Sequence, residues 1–169
     1  MRPNFLSYLP ERLIREIEEG RASVVGGAVR AQFEGRQPAD VDVFVFDKAD
    51  HVALVEALGA TPKPETDGAV FELSGEVPIE IVHLSGWSSA SACVTRADFD
   101  IAGGVYCAGR LHLPDGYEEA IKNRKMRFLG VTEDPQRSYG RYIKYNRKYG
   151  YRIDLSINEL LRVWRESCS

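Results

Sequence analysis

Apolar residues along the chain alternate in short runs or recur at helical spacing, and together they predict a mixed order of helices and strands. Leu13, Ile14 and Ile17 recur at helical spacing between Pro10 and Glu19, and Gly20 follows as the stop. Ser23 to Val25 reads as a strand, Gly26-Gly27 as a turn, and Ala28 to Glu34 as a short helix. The run Val41 to Phe46 predicts a strand whose later residues, Val43-Phe44-Val45-Phe46, are apolar on both faces and so belong inside a sheet. A helix over Ala49 to Leu58 comes next, then a loop over Thr61 to Gly68 marked by Pro62 and Pro64. Ala69 to Leu73 and Val77 to His83 are expected to pair antiparallel, because Ser74-Gly75-Glu76 is too short for a parallel crossover. Ser85 to Ala92 reads as a mobile surface loop, and Gly104 to Cys107 with Arg110 to Leu113 as a hairpin around Gly109. A helix over Gly116 to Asn123 and a strand over Met126 to Leu129 precede a basic helix that starts near Asp134-Pro135. A last amphipathic helix over Leu155 to Glu166 offers Leu160, Leu161 and Trp164 for docking.

Composition narrows the class more than it identifies it. A chain of 169 residues, 44% hydrophobic and 28% charged, suits one globular core with at most a small appendage. No apolar run reaches the ~18 residues of a membrane span, and Met1 to Pro10 lacks the pattern of a signal peptide. Cys93, Cys107 and Cys168 are odd in number and carry no metal-ligand spacing, so a cytoplasmic protein with free thiols is expected. Cys107 is expected in the core and Cys168 in a tail. His51, His83 and His112 are scattered and receive no role.

Charge is unevenly distributed. Between Lys122 and Arg152 ten Lys or Arg residues face only Glu133 and Asp134, within a chain whose net charge is −3. Five of the eight tyrosines fall in the same stretch. Arg137, Arg141, Lys144 and Lys148 would form one stripe on a helix, beside a stripe of Tyr142, Tyr145 and Tyr149 that could supply packing together with Ile143. Basic residues attract phosphates and aromatic rings stack on bases, so the segment suits a nucleotide or polyanion, although a solvated basic face gives the same pattern.

The candidate chemistry lies upstream. Asp40 and Asp42 project from the same face of their strand, and two such close carboxylates call for a cation between them. Mg²⁺ takes oxygen ligands, commonly one or two carboxylates plus phosphates of a substrate. Gly26 and Gly27 allow a phosphate close to the backbone at a helix start, and Arg30 lies one turn further on. Glu80 interrupts the apolar strand Pro78-Ile79-Glu80-Ile81-Val82, where it either faces water or serves as a third carboxylate near the metal.

These residues resemble a known family. Gly26-Gly27-Ala28-Val29-Arg30 through Ala39-Asp40-Val41-Asp42 is similar to the signature of the poly(A) polymerase and CCA-adding enzyme head, of the bacterial class II type, within the DNA polymerase β nucleotidyltransferase superfamily. In order after it, Arg96-Ala97-Asp98-Phe99-Asp100-Ile101, Pro114-Asp115-Gly116, Met126-Arg127-Phe128-Leu129-Gly130 and Glu133-Asp134-Pro135-Gln136-Arg137 resemble further motifs of that family, the last opening its neck. The resemblance implies an α+β fold, with a polymerase β-like head of mixed sheet flanked by helices over residues 1–132 and a short helical neck over 133–169.

The same resemblance implies that Asp40 and Asp42 bind the catalytic Mg²⁺, and Glu80, read from its strand, is the candidate for a further catalytic carboxylate. Gly26, Gly27 and Arg30 would hold the triphosphate of an NTP, ATP or CTP, and Arg96 would contact the nucleotide. Asp134 and Arg137 would read the base, while Arg141 and Lys144 would face the nucleotide or the acceptor. The implied activity is template-independent transfer of an NMP to a hydroxyl, foremost an RNA 3′ end, with release of pyrophosphate. Transfer to a small molecule or protein side chain, or a nucleotide- or RNA-binding module without turnover, are the alternatives. Ala31 stands where the family has Asp, Ala97 where it has a second Arg, and the arginine expected three positions beyond Arg137 falls on Gly140, with Arg141 nearest. No length remains after Ser169 for a body and tail that would hold a tRNA, so a full tRNA-maturing role is not expected of the chain alone.

Overall fold

The computed structural model describes residues 3–129, 134–153 and 162. Apart from Arg162, the expected last helix over Leu155 to Glu166 lies outside these residues, as do Gly130, Glu133 and Cys168. A 3-10 turn, Asn4–Tyr8, leads into α1 (Glu11–Glu18), β1 (Ala22–Val25), α2 (Gly27–Phe33), β2 (Val41–Val45) and α3 (Lys48–Leu58). The chain continues through β3 (Thr61–Pro62), β4 (Val70–Leu73), β5 (Ile79–Val82), α4 (Ala90–Thr95), β6 (Val105–Cys107) and β7 (Arg110–His112). After α5 (Tyr117–Lys122) and β8 (Lys125–Met126) come α6 (Pro135–Tyr149) and β9 (Arg152–Ile153). The result is an α+β fold with a mixed sheet flanked by helices.

Seven strands form the main sheet in the order β3-β4-β5-β2-β1-β6-β7. β2 and β5 run parallel, with Asp42 opposite Glu80, because α3, β3 and β4 supply the long crossover between them. β4 and β5 pair antiparallel, as their short connection requires.

The alternation of β2 decides what each face of the sheet can do. Val41, Val43 and Val45 are at most 1% exposed and pack with Val24, Ile79 and Ile81 in the main core, shared with α1, α2 and α3. Asp42 and Phe44 point to the opposite face, which is covered only in part. There Val25, Val105, Cys107, Ala90 and Cys93 form a second core, with Phe44, Phe46 and Trp87 packed against it. Two unequal cores thus leave the Asp42 end of one sheet face open.

Local chemistry accounts for the element ends. Asp134 caps α6 by accepting the Arg137 backbone N–H at 2.9 Å, and Gly150, at φ 71°, closes it in the left-handed region. Ala108 and Gly109, at φ 49° and 74°, make the tight turn between β6 and β7 that matches the twist of a two-residue hairpin.

Three expectations are corrected. Thr61–Pro62 is a short edge strand on β4 rather than loop, where proline is tolerated because no inward N–H is needed. The expected loop Ser85 to Ala92 gives way at Ala90 to α4, capped by Ser89 and anchored by Ala90 and Cys93; six small residues are too few to show a helical period. The expected strand Met126 to Leu129 is divided, since Lys125–Met126 pairs with β9 while Phe128 bridges Phe99.

Gly104 marks a close approach between β6 and α5. A Cβ there would lie 2.6 Å from Tyr117 Oη and 2.8 Å from Val29 Cγ1, both inside the core. Gly104→Ala is expected to cost about 1–3 kcal/mol through overpacking, read as a lower midpoint of urea unfolding with an unchanged slope; an unchanged midpoint contradicts it.

Candidate active site

β1 turns into α2 through Gly26, whose φ of 71° and ψ of −110° suit glycine and whose N–H donates to the Gly104 carbonyl at 2.8 Å. The turn brings Gly27 beside Asp40: a Cβ on Gly27 would sit 3.5 Å from Asp40 Oδ1. Sequence-distant glycines and aspartates therefore meet at one place. Asp42 stands next along β2, in register with Val25 on one side and Glu80 on the other. Burial first, and the charges of Asp40 and Glu80 next, raise the Asp42 carboxyl to about 7 against the opposing charges of Arg141 and Lys144.

Two adjoining cavities open over these residues and share Asp42, Glu80, Lys63, Arg137 and Arg141. One, of about 520 Å³, is cationic: Arg30, Arg36 and Lys144 line it with Gly27 and Asp40. The other, of about 530 Å³, runs over the open sheet face past Phe44, Val82, Leu84 and Trp87 to Cys93. Burial pushes the Cys93 thiol up to about 11, so this floor stays uncharged. Asp42 faces both cavities, whereas Asp40 lines the cationic one.

The remaining predicted residues fall into different positions. Gly26 lines the second cavity, and Arg137 and Lys144 lie where the sequence places them, on the face of α6 turned to the carboxylates. Arg141 also reaches them, but its Nη1 donates to Asp98 Oδ2 at 3.0 Å, and Ser138 Oγ donates to the same oxygen at 2.9 Å. Arg141 is thus as much a docking residue of α6 as a charge in the cavity. Lys148 continues the stripe only in sequence, since its ammonium lies over the Tyr149 ring, 5.4 Å from the centroid.

Other expected residues are engaged within the protein itself. Arg30 is 3% exposed, with its guanidinium 4.6 and 4.8 Å from the ring centroids of Tyr145 and Tyr149. It borders the cavity but is first a pin between α2 and α6, because an i,i+4 ion pair with Glu34 and two stacked rings hold it there. Tyr145 and Tyr149 accordingly stack on arginines of the same chain rather than offering rings to bases. Arg96 packs against Gly86, where an added Cβ would meet Nη2 at 2.7 Å, and lines neither cavity. Asp134 is committed to capping α6 and likewise lines neither.

Glu80 does stand beside Asp42, but its carboxylate pairs with Lys63 Nζ. Among the described residues no group of three His, Cys, Asp or Glu is placed to hold a metal ion by itself. Asp40 and Asp42 nonetheless fit a hard divalent cation. They are two carboxylates that line one cavity, Asp40 just before β2 and Asp42 within it, and the burial that raises Asp42 leaves its negative charge uncompensated until a cation adds to the field of Arg141 and Lys144.

Sequence reasoning missed Lys63, hidden between two prolines, and Glu34, buried under three arginines. It also passed over the pairing of Phe44 with Trp87, whose rings lie 4.9 Å apart. Asp98 was within the quoted Arg96-Ala97-Asp98 run, and its burial at 4% exposure is the signal that the run is a docking element. His51 and His83, scattered in sequence, meet with ring centroids 5.8 Å apart in a separate cavity behind α3. No helix among the described residues is long and apolar enough to cross a membrane.

The sequence matches no family model. It is 24% identical over 164 residues to Gabija anti-defense 2 of Bacillus phage SPbetaL7, an alignment covering 93% of this chain and 40% of that protein. Among solved structures, a tRNA nucleotidyltransferase in complex with a primer tRNA and an incoming ATP analog superimposes with a TM-score of 0.65 at 24% identity, over 88% of this chain and 47% of the other. A CCA-adding enzyme in complex with CTP gives a TM-score of 0.66 at 21% identity, over 96% of this chain and 44% of the other. The chain spans less than half the length of each. Its fold is that of the nucleotidyltransferase head of CCA-adding enzymes.

Proposed function

We propose that the chain is a Mg²⁺-dependent, template-independent nucleotidyltransferase that moves an NMP from an NTP to an acceptor hydroxyl, foremost an RNA 3′ end, and releases pyrophosphate. One observation carries the reading: Asp40, just before β2, and Asp42 within it stand beside the Gly26-Gly27 turn, and both open into a cavity that Arg36, Arg137, Arg141 and Lys144 also line. The solved neighbours described with an ATP analog, CTP and tRNA support nucleotide and RNA as partners.

Asp40 and Asp42 would hold the Mg²⁺, which when bound supplies charge neutralisation at the phosphates. Gly27 lets the triphosphate approach the backbone, while Arg36 and Lys144 balance its charge from the cavity wall. Arg137 and Arg141 approach from α6, where the nucleoside would lie. The acceptor oxygen bonds to the α-phosphorus, the bond to pyrophosphate breaks, and Glu80 takes the hydroxyl proton; Lys63 holds that carboxylate in place.

The test supplies Mg²⁺, each labelled NTP in turn and a mixture of short RNAs, and reads extension on a gel. Extension that requires both Mg²⁺ and a free 3′ hydroxyl is expected. NTP binding without transfer to any acceptor refutes the enzyme reading in favour of a binding module, and label on protein or a small molecule replaces the acceptor.

A further inference from the structure

The two cavities over Asp42 differ in chemistry, and the difference assigns the side from which the acceptor enters. Phosphoryl transfer places the entering and leaving oxygens roughly in line on opposite sides of the phosphorus. The leaving pyrophosphate carries concentrated negative charge and belongs with Arg36 and Lys144, on the side that also holds Asp40. The entering hydroxyl then comes from the other side of Asp42, along β2 toward Phe44, which is the second cavity.

That cavity has a built wall. Phe44 follows Asp42 on the same strand face, two residues and so about 7 Å along. Its ring lies against Trp87 at 4.9 Å and 31°, and both side chains are only partly buried. Val82 and Leu84 extend the surface, while Lys63 and Thr66 add polar groups near the carboxylates. The loop carrying Trp87 is pinned: the Trp87 N–H donates to the Leu84 carbonyl at 3.1 Å, and the Arg96 guanidinium packs on Gly86. Arg137 and Arg141 border this cavity as they do the first, but its own stretch from Phe44 to Trp87 is apolar and aromatic and favours an uncharged planar ring over a phosphate.

We propose that Phe44 and Trp87 form the acceptor seat, a platform on which the terminal base of an RNA acceptor stacks while its ribose hydroxyl reaches Asp42 and Glu80. This rests on the transferase reading above. A nucleoside carries its ring a sugar's width from the 3′ hydroxyl, which suits the interval between Phe44 and Asp42. A tyrosine side chain, with the hydroxyl on the ring itself, would draw the ring off the platform.

The experiment compares two otherwise identical short RNAs, one with its 3′-terminal base and one with an abasic 3′-terminal ribose that keeps its hydroxyl. The wild-type protein, Trp87→Ala and Trp87→Phe are each assayed with both. Stacking of one base predicts that the wild type has at least a tenfold lower KM for the intact end, on the order expected of a single base on an aromatic ring. Trp87→Ala should lose that preference through acceptor KM, with kcat at saturating acceptor and NTP affinity unchanged, and Trp87→Phe should restore most of it. NTP binding also reports that each variant is folded. Equal use of intact and abasic ends by the wild type overturns the acceptor seat and leaves the transferase standing, as does an effect of Trp87→Ala confined to NTP affinity. Transfer to a tyrosine peptide with the same dependence on Trp87 overturns the assignment to a nucleoside. Absence of transfer from any NTP to any acceptor removes both readings.

Discussion

Asp42→Asn is expected to abolish nucleotidyl transfer and, in the absence of metal, to make the protein more stable. Loss of one of two metal-binding carboxylates should lower kcat by about a thousandfold or more, since charge stabilisation at the reacting phosphate is commonly the largest catalytic contribution. The stability gain has a separate origin. Asp42 is held in a site that raises its carboxyl from the ordinary 3.8 to about 7, by burial first and by Asp40 and Glu80 next. A neutral amide of the same shape carries none of that cost.

The sign follows from proton binding. Between pH 3.8 and about 7 the folded state binds more protons at Asp42 than the unfolded chain, so this group's contribution to stability falls as pH rises through that window. Above pH 7 the penalty is fully present, on the order of 2–4 kcal/mol after allowance for water in the cavity. At pH 8 without metal, Asp42→Asn should therefore melt about 5 °C or more above the wild type, and the gap should close at pH 4. Added Mg²⁺ should raise the wild-type midpoint and leave that of the variant unmoved. Equal melting curves at pH 8 would show that Asp42 is not strained, and full transfer by the variant would remove it from the site.

Much of this arrangement is legible before any coordinates, for reasons that differ from element to element. β2 announces itself because alternation and β-branched residues coincide, and the spacing of two places Asp40, just before it, on the side of Asp42. α6 is legible from Asp134-Pro135 at its start and from the spacing of Arg137, Arg141 and Lys144 along it. α4 is not, because Ala90–Thr95 is short and its burial depends on a second core assembled from β1, β6 and the Trp87 loop. The stacking of Arg30 is not legible for a physical reason: an arginine near a glycine turn suits phosphate and suits a tyrosine stack equally, and only the position of α6 brings Tyr145 and Tyr149 to it. Tyr145 and Tyr149 were likewise visible as a stripe whose partners were not. That Phe44 borders a cavity is not legible, because a strand pattern does not reveal that one face stays partly uncovered.

The same arginine leads to the other large expected effect, at Glu34. Its side chain is 1% exposed and lies 3.8 Å from Arg30 Nε, while Arg36 donates to it through Nε, Arg124 through Nη1 and Tyr151 through its hydroxyl at 2.7 Å. Burial alone would raise this carboxyl, but the Tyr151 hydroxyl and the Arg36 guanidinium outweigh it and hold the group below its ordinary value. Its contribution is thus present above the unfolded pKa and is lost as pH falls through the folded one. Glu34→Gln keeps the shape and removes the charge, leaving buried Arg30, whose Nε and Nη1 have no hydrogen-bond partner among the described residues, without its counter-charge. The expected cost is about 3 kcal/mol or more, against about 1 kcal/mol for Tyr151→Phe, which removes one hydrogen bond. The damage should not be confined to stability, because Arg30 clamps Tyr145 and Tyr149, and Arg124 with Tyr151 ties down the chain that follows α6. A loosened α6 withdraws Arg137, Arg141 and Lys144 from the carboxylates together. Hydrogen exchange should therefore quicken along Pro135–Tyr149, and NTP affinity should fall although Glu34 lines neither cavity. Unchanged exchange in α6 beside a lowered melting point would confine Glu34 to the core, and an unchanged melting point would show that the buried charges around it are independent.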